Sequence, residues 1–89
     1  LVAKFRKKPV VIDAWQIVAG IQDAPELATY VLDETISHQS DGSILIQTLE
    51  GVMRGNPGDW LIRGVKGELY PCKDDIFRQT YDVEVLSRQ

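Results

Sequence analysis

Cysteine and histidine each occur once in the 89 residues, as Cys72 and His38. A lone cysteine forms no internal disulfide and suits a reducing compartment. One histidine, with no second histidine or cysteine beside it, excludes an ordinary zinc site. No apolar run approaches the roughly 20 residues that span a bilayer, and the opening Leu1-Val2-Ala3-Lys4-Phe5 lacks the apolar core of a signal peptide. Internal repeats, linkers and low-complexity segments are also missing. The expectation is a cytosolic chain with no membrane partner, no metal and no cofactor.

The length points to one domain, residues 1–89. A chain this short buries only about 60–65% of the surface it exposes when unfolded, and many such domains gain stability by forming oligomers. The net charge of −3 conceals an asymmetry. Lys4, Arg6, Lys7 and Lys8 make residues 1–8 a basic arm of +4, and the remaining six basic and thirteen acidic residues leave −7 for the body. Such an arm either keeps an edge strand soluble or meets phosphate or an acidic partner surface. The acidic body argues against broad, sequence-blind binding of duplexes, whose phosphates it repels.

The organising stretch is 56–72, which holds three of the seven glycines, two of the four prolines and the only cysteine. Pro57-Gly58 fits the centre of a type II turn, because proline pre-sets φ at the first position and glycine accepts positive φ at the second. Residues 59–63 then read as a strand, 64–67 as a second tight turn and 69–72 as the returning strand. This hairpin is expected to be rigid scaffold.

Upstream, residues 10–17 are rich in β-branched residues and carry apolar weight on both faces, which predicts an inner strand beginning after Pro9. Trp15 is expected in the core. Asp23-Ala24-Pro25-Glu26 matches a capping box, and Ala24, Leu27, Ala28, Val31 and Thr35 keep helical spacing; the main helix is placed at about 24–35. Residues 37–43 read as a polar loop containing His38. Residues 44–49 and 52–54 form a hairpin across Glu50-Gly51, so 44–72 reads as a four-stranded meander. Asp74 is expected to cap a short helical turn at about 74–80, with Phe77 and Tyr81 as an i, i+4 pair. Residues 82–86 alternate as a closing strand with Val83 and Val85 inward. The sum is an α+β domain: a small antiparallel sheet or partly open barrel of about six short strands, one main helix and one short helical turn.

Much of this text resembles a family of small uncharacterised bacteriophage and prophage proteins. The resemblance rests on Thr48-Leu49-Glu50-Gly51, on the run from Pro57 to Lys73 (PGDWLIRGVKGELYPCK), on Asp75-Ile76-Phe77 and Thr80-Tyr81, and on the run from Phe5 to Ala14. It does not extend over about 18–43, and Asp74 stands where the family pattern has proline. The resemblance implies a phage or prophage source and action in the cytoplasm of a bacterial host. It implies no activity and carries over no catalytic residue.

Nucleophilic catalysis needs a base within hydrogen-bond reach. Cys72 reads as a small buried hydrophobe and His38 as a solvent-facing residue, so neither makes a convincing pair. Asp59, Glu68, Asp74 and Asp75 match no calcium loop, and turn and capping roles account for Asp59 and Asp74. Gly64 to Gly67 lacks the Lys-Ser/Thr and the following helix of a phosphate loop. A binding role fits better. Arg54, Trp60, Arg63, Lys66 and Tyr70 lie on the organising hairpin or its neighbour, and a planar guanidinium beside aromatic rings suits phosphate, carboxylate or a stacked base. The first expectation is a non-catalytic phage protein that binds a host protein or itself as a homo-oligomer. The alternative is a nucleotide or single-stranded nucleic-acid binder, and an enzyme ranks last.

Overall fold

In a computed structural model, residues 2–4 and 9–82 are described. Arg6, Lys7 and Lys8 of the basic arm and the closing strand expected at 82–86, with Val83 and Val85, lie outside these residues or, for the strand, all but its first residue do. The domain is α+β. The described residues form six antiparallel strands, β1 (Asp13–Gln16), β2 (Ile36–His38), β3 (Ile44–Thr48), β4 (Gly51–Gly55), β5 (Trp60–Arg63) and β6 (Leu69–Cys72), with helices α1 (Ala28–Leu32) and α2 (Asp74–Thr80). They form two three-stranded sheets, β1-β5-β6 and β2-β3-β4, which do not close into a barrel.

The expected meander therefore divides between β4 and β5. Gly55 is the pivot. It is buried, and a β-carbon there would stand 2.5 Å from Ile17 Cδ1. The chain then turns through Asn56-Pro57-Gly58-Asp59, closed by Asp59 N–H donating to Asn56 O at 2.9 Å, with Gly58 at φ 92°. That is the geometry Pro-Gly predicts. The second turn also forms as expected: Gly67 N–H donates to Gly64 O at 2.9 Å and Gly67 has φ 85°.

Three expectations are corrected. The first concerns β1, which among the described residues lies at the edge of its sheet, with β5 in the middle. Its pairing with β5 stops at Asp13↔Arg63, where β5 enters the Gly64 turn, and no other described strand pairs with residues 10–12. Val10 and Val11 are consequently 47% and 69% exposed.

The second concerns the segment at 24–35, which is not one helix. Single 3₁₀ turns span Ile21–Asp23 and Pro25–Leu27 before α1 begins. Ala24 is held extended (φ −62°, ψ 125°), since a residue before proline is driven out of the helical region. Asp23 thus falls inside the first 3₁₀ turn and caps nothing. The far end stops early because Glu34 adopts φ 65° and the Asp33 carboxylate accepts the Thr35 N–H at 3.0 Å.

Third, Ile36–His38 is a strand where a loop was expected; only Ile36 is buried, so the segment shows no alternation to read. His38 is nevertheless exposed.

The core lies between the sheets and under the helical segment. Ile17, Ile21, Leu27, Ile36, Ile44, Ile46, Leu61 and Leu69 form it, with Trp15, Tyr30 and Val31 packed against it. The Trp15 expectation holds in this sense, although the ring is only partly buried. The Tyr30 hydroxyl donates to Gly67 O at 3.1 Å and ties α1 to the β5–β6 turn.

Candidate functional site

The β1-β5-β6 sheet is used on both faces. Register places Asp13, Trp15, Leu61 and Arg63 on one face, and Ala14, Gln16, Trp60, Ile62, Tyr70 and Cys72 on the other. The first face carries the core. On the second, Trp60 stacks on Phe77 of α2 with ring centroids 4.2 Å apart and planes 9° from parallel. Phe77 in turn meets Tyr81 at 5.2 Å, the i, i+4 contact that helical spacing predicts.

Asp74 plays a part different from the expected cap. The residue preceding α2 is Lys73, and no side chain caps the helix. The Asp74 carboxylate instead accepts the Trp60 indole N–H at 2.8 Å and Arg78 Nε–H at 2.9 Å. The indole bond, then the guanidinium, hold its carboxyl below the usual range. One aspartate therefore fixes the indole to α2.

A cleft of about 880 Å³ lies along β1 and the residues that lead into it. It is lined by Pro9 to Trp15, by the aromatic rings Trp60, Phe77 and Tyr81, and by Arg63, Glu26 and Asp82. Arg63 Nη2 donates to Asp13 Oδ2 at 2.7 Å, and its guanidinium lies 5.1 Å from the centre of the Trp15 ring. The Asp13 hydrogen bond raises the pKa of Arg63 further. With Asp13, Glu26 and Asp82 set against Arg63, the described lining carries an excess of negative charge.

Of the binding residues read from the sequence, Trp60 and Arg63 line this cleft, but from opposite faces of β5. Arg54, Lys66 and Tyr70 do not line it. Arg54 pairs with the Asp41 carboxylate and donates from Nε to Asn56 Oδ1 at 3.1 Å. Lys66 sits in the β5–β6 turn, its N–H donating to Glu68 Oε1 at 3.0 Å. Tyr70 is pushed up to about 12 by burial, by its hydrogen bond with Tyr81 and by nearby negative charge, including Glu68. Lys4 is exposed.

Asp13, Trp15, Glu26, Phe77 and Tyr81 were not singled out as binding residues. Their convergence comes from strand register and helix docking, and no local spacing signals it.

Burial raises the pKa of the Cys72 thiol, as do Asp59 and Asp75 nearby; a thiol so placed is a poor source of thiolate at neutral pH. His38 sits at the end of β2 in the other sheet and does not line the cleft. Among the described residues, no group of three or more potential ligands is placed to hold a metal ion, and no helix is long and apolar enough to cross a membrane. Comparison with protein-family models, with characterised proteins and with solved structures finds no match to this chain.

Proposed function

We propose that this chain is a small phage-encoded, non-catalytic binding protein that acts in the host cytoplasm through protein–protein contacts along the free edge of β1. One observation carries the reading. An edge strand without a second partner among the described residues runs beside an aromatic cleft, and the residues leading into it expose Val10 and Val11. An open edge is a template for a further strand: main-chain hydrogen bonds supply affinity and side-chain pockets supply selectivity. Phage origin and host action rest on the resemblance carried by Phe5 to Ala14, Thr48 to Gly51, Pro57 to Lys73, Asp75 to Phe77 and Thr80-Tyr81.

The nucleotide alternative draws on Trp60 and Arg63, both at the cleft. Two features weigh against it. Arg63 is already mated to Asp13, and Glu26 and Asp82 add negative charge where phosphate has to approach.

A photo-crosslinking residue at Val11 tests the reading in a bacterial lysate, with the same group at Leu49, 99% exposed on the β3–β4 turn, as control. Discrete protein adducts from position 11 and not from position 49 are expected. Equal labelling from both positions overturns the reading.

A further inference from the structure

The connection between β2 and β3 carries the chain's one aspartate that is followed by glycine. The other seven aspartates precede alanine, glutamate, aspartate, tryptophan, isoleucine or valine, and Asn56 precedes proline. A glycine nitrogen has no β-carbon beside it, so it approaches the side-chain carboxyl of a preceding aspartate with the least hindrance. Asp41 is exposed, and Gly42 sits in a turn at φ 89°.

Attack of that nitrogen on that carboxyl needs no co-reactant but water. The Gly42 nitrogen bonds to Asp41 Cγ, the Cγ–O bond of the protonated carboxyl breaks, and the hydroxyl leaves as water with the nitrogen's proton. Water then opens the resulting ring at either carbonyl. Opening at the α-carbonyl leaves isoaspartate, with the main chain running through Cβ and Cγ. The fold holds both reacting groups back. Asp41 Oδ1 accepts the Ser43 N–H at 3.0 Å and the Ser43 hydroxyl, and Oδ2 pairs with Arg54. These contacts, Ser43 first, hold the carboxyl below its ordinary range, and an ionised carboxylate is the poorer electrophile. Gly42 N–H donates to Gln39 O at 3.1 Å, which occupies the proton that has to leave.

The same carboxylate latches this loop to the turn that joins the two sheets. Arg54 bridges it to Asn56 Oδ1, and Asn56 N–H donates to Asp59 Oδ2 at 3.0 Å. A β-carbon on Gly42 would stand 3.3 Å from Pro57 Cγ, so the loop and the turn lie against each other. Isoaspartate adds a carbon to the main chain and sets its carboxylate directly on Cα. The carboxylate is then displaced from Ser43 and Arg54, and Ser43, 0% exposed, keeps a buried hydroxyl without its acceptor.

We propose that Asp41 is the position at which this chain converts to isoaspartate, that Ser43 and Arg54 act as a brake on the conversion, and that conversion releases the loop at 39–43 from the turn at 56–59. The test uses the purified full chain aged in neutral buffer. Cleavage after glutamate releases residues 35–50, in which Asp41 is the only aspartate. Conversion gives a second form of that peptide, with the same mass, a different retention time and the fragment ions of isoaspartate. It is expected to accumulate faster in the chain unfolded with guanidinium than in the folded one. Arg54→Ala is expected to speed it about two- to fivefold, the range for loss of an exposed ion pair, and Arg54→Lys to restore most of the brake. Ser43→Ala, which removes the hydroxyl donor, is expected to act in the same direction as Arg54→Ala. Arg78→Ala breaks the exposed pair on Asp74 instead and is expected to leave the rate unchanged. The melting temperature of the aged chain is expected to fall as its isoaspartate fraction rises.

No isoaspartate at position 41 in the unfolded chain, or more of it at another aspartate, overturns the assignment of the site. Folded and unfolded chains that convert at one rate overturn the brake. So do Arg54→Ala and Ser43→Ala variants that keep the parent's circular dichroism spectrum and convert no faster, or an Arg78→Ala variant that gains as much as they do. A converted chain that melts like fresh protein overturns the release of the loop.

Discussion

The hairpins β3–β4 and β5–β6 follow one another in the chain and have strands of similar length, yet they are used differently. In β3–β4, one face packs inward through Ile44 and Ile46, while Val52 and Met53 remain exposed on β4. In β5–β6, both faces are covered: Leu61 is 0% exposed on the core side and Ile62 is 1% exposed on the other. The difference begins with place in the sheet: among the described residues β5 is the middle strand of its sheet and β4 an edge strand. Phe77 and its stack on Trp60 set α2 beside β5, while four of the five residues of β4 are exposed. Hydrophobic character alone does not separate Val52 from Ile62; their places in the two sheets do.

The strongest way to break this contrast is truncation. Leu61→Ala is expected to lower unfolding free energy by about 2–5 kcal/mol, whereas Val52→Ala on the open face should change it by about 0.5 kcal/mol or less. Urea denaturation of the two variants measures both. Equal losses would mean that both hairpins are covered alike.

Gly55→Ala probes the join between the hairpins. Its new methyl group meets Ile17 Cδ1 at 2.5 Å, and overpacking of this kind costs about 1–3 kcal/mol. A thermal melt should show the loss. A neutral result would mean that the two sheets have room to separate.

Phe77→Leu sharpens the comparison from the other side. It removes the ring stack on Trp60, an aromatic contribution of about 0.5–1.5 kcal/mol, and tryptophan fluorescence is expected to shift as the indole is uncovered. Glu34→Gly lies away from both hairpins and acts in the opposite direction. The side chain at φ 65° is strained by about 1 kcal/mol, and glycine is expected to recover part of that, raising the melting temperature.

The smallest expected effect is that of acid. Asp74 has its carboxyl held below its ordinary value of 3.8, first by the Trp60 indole and then by Arg78; Asp41 is held down by Ser43 first and also by Arg54. Lowered carboxyl values stabilise the fold above the unfolded value, and that contribution fades as pH falls from about 3.8 through the folded one. Asp74→Asn should flatten this acid limb. Both carboxylates are solvent-exposed, so the limb is shallow.

The two turns of 56–72 were legible because their chemistry is local: Gly58 and Gly67 take the positive φ that few other residues accept. So was α2, whose aromatic pair needs only helical spacing. The split of 24–35 also had a local signal, proline at 25, whose effect on Ala24 outweighed an apparently good capping box. Of the binding residues read from the sequence, Trp60 and Arg63 line the cleft. The pairing of Arg63 with Asp13, fifty positions away, and the stacking of Phe77 on Trp60 carry no local signal.

From its sequence alone this protein is an α+β domain with its turns in place, since turn residues restrict φ and ψ within a few positions and strand formers act through their own side chains. Tertiary structure decided which sheet each hairpin entered, that β1 lies at an edge, and that a cleft opens beside it. Those outcomes depend on pairing and covering between residues distant in the chain, where the free energy belongs to surfaces that exist only after the chain has come together.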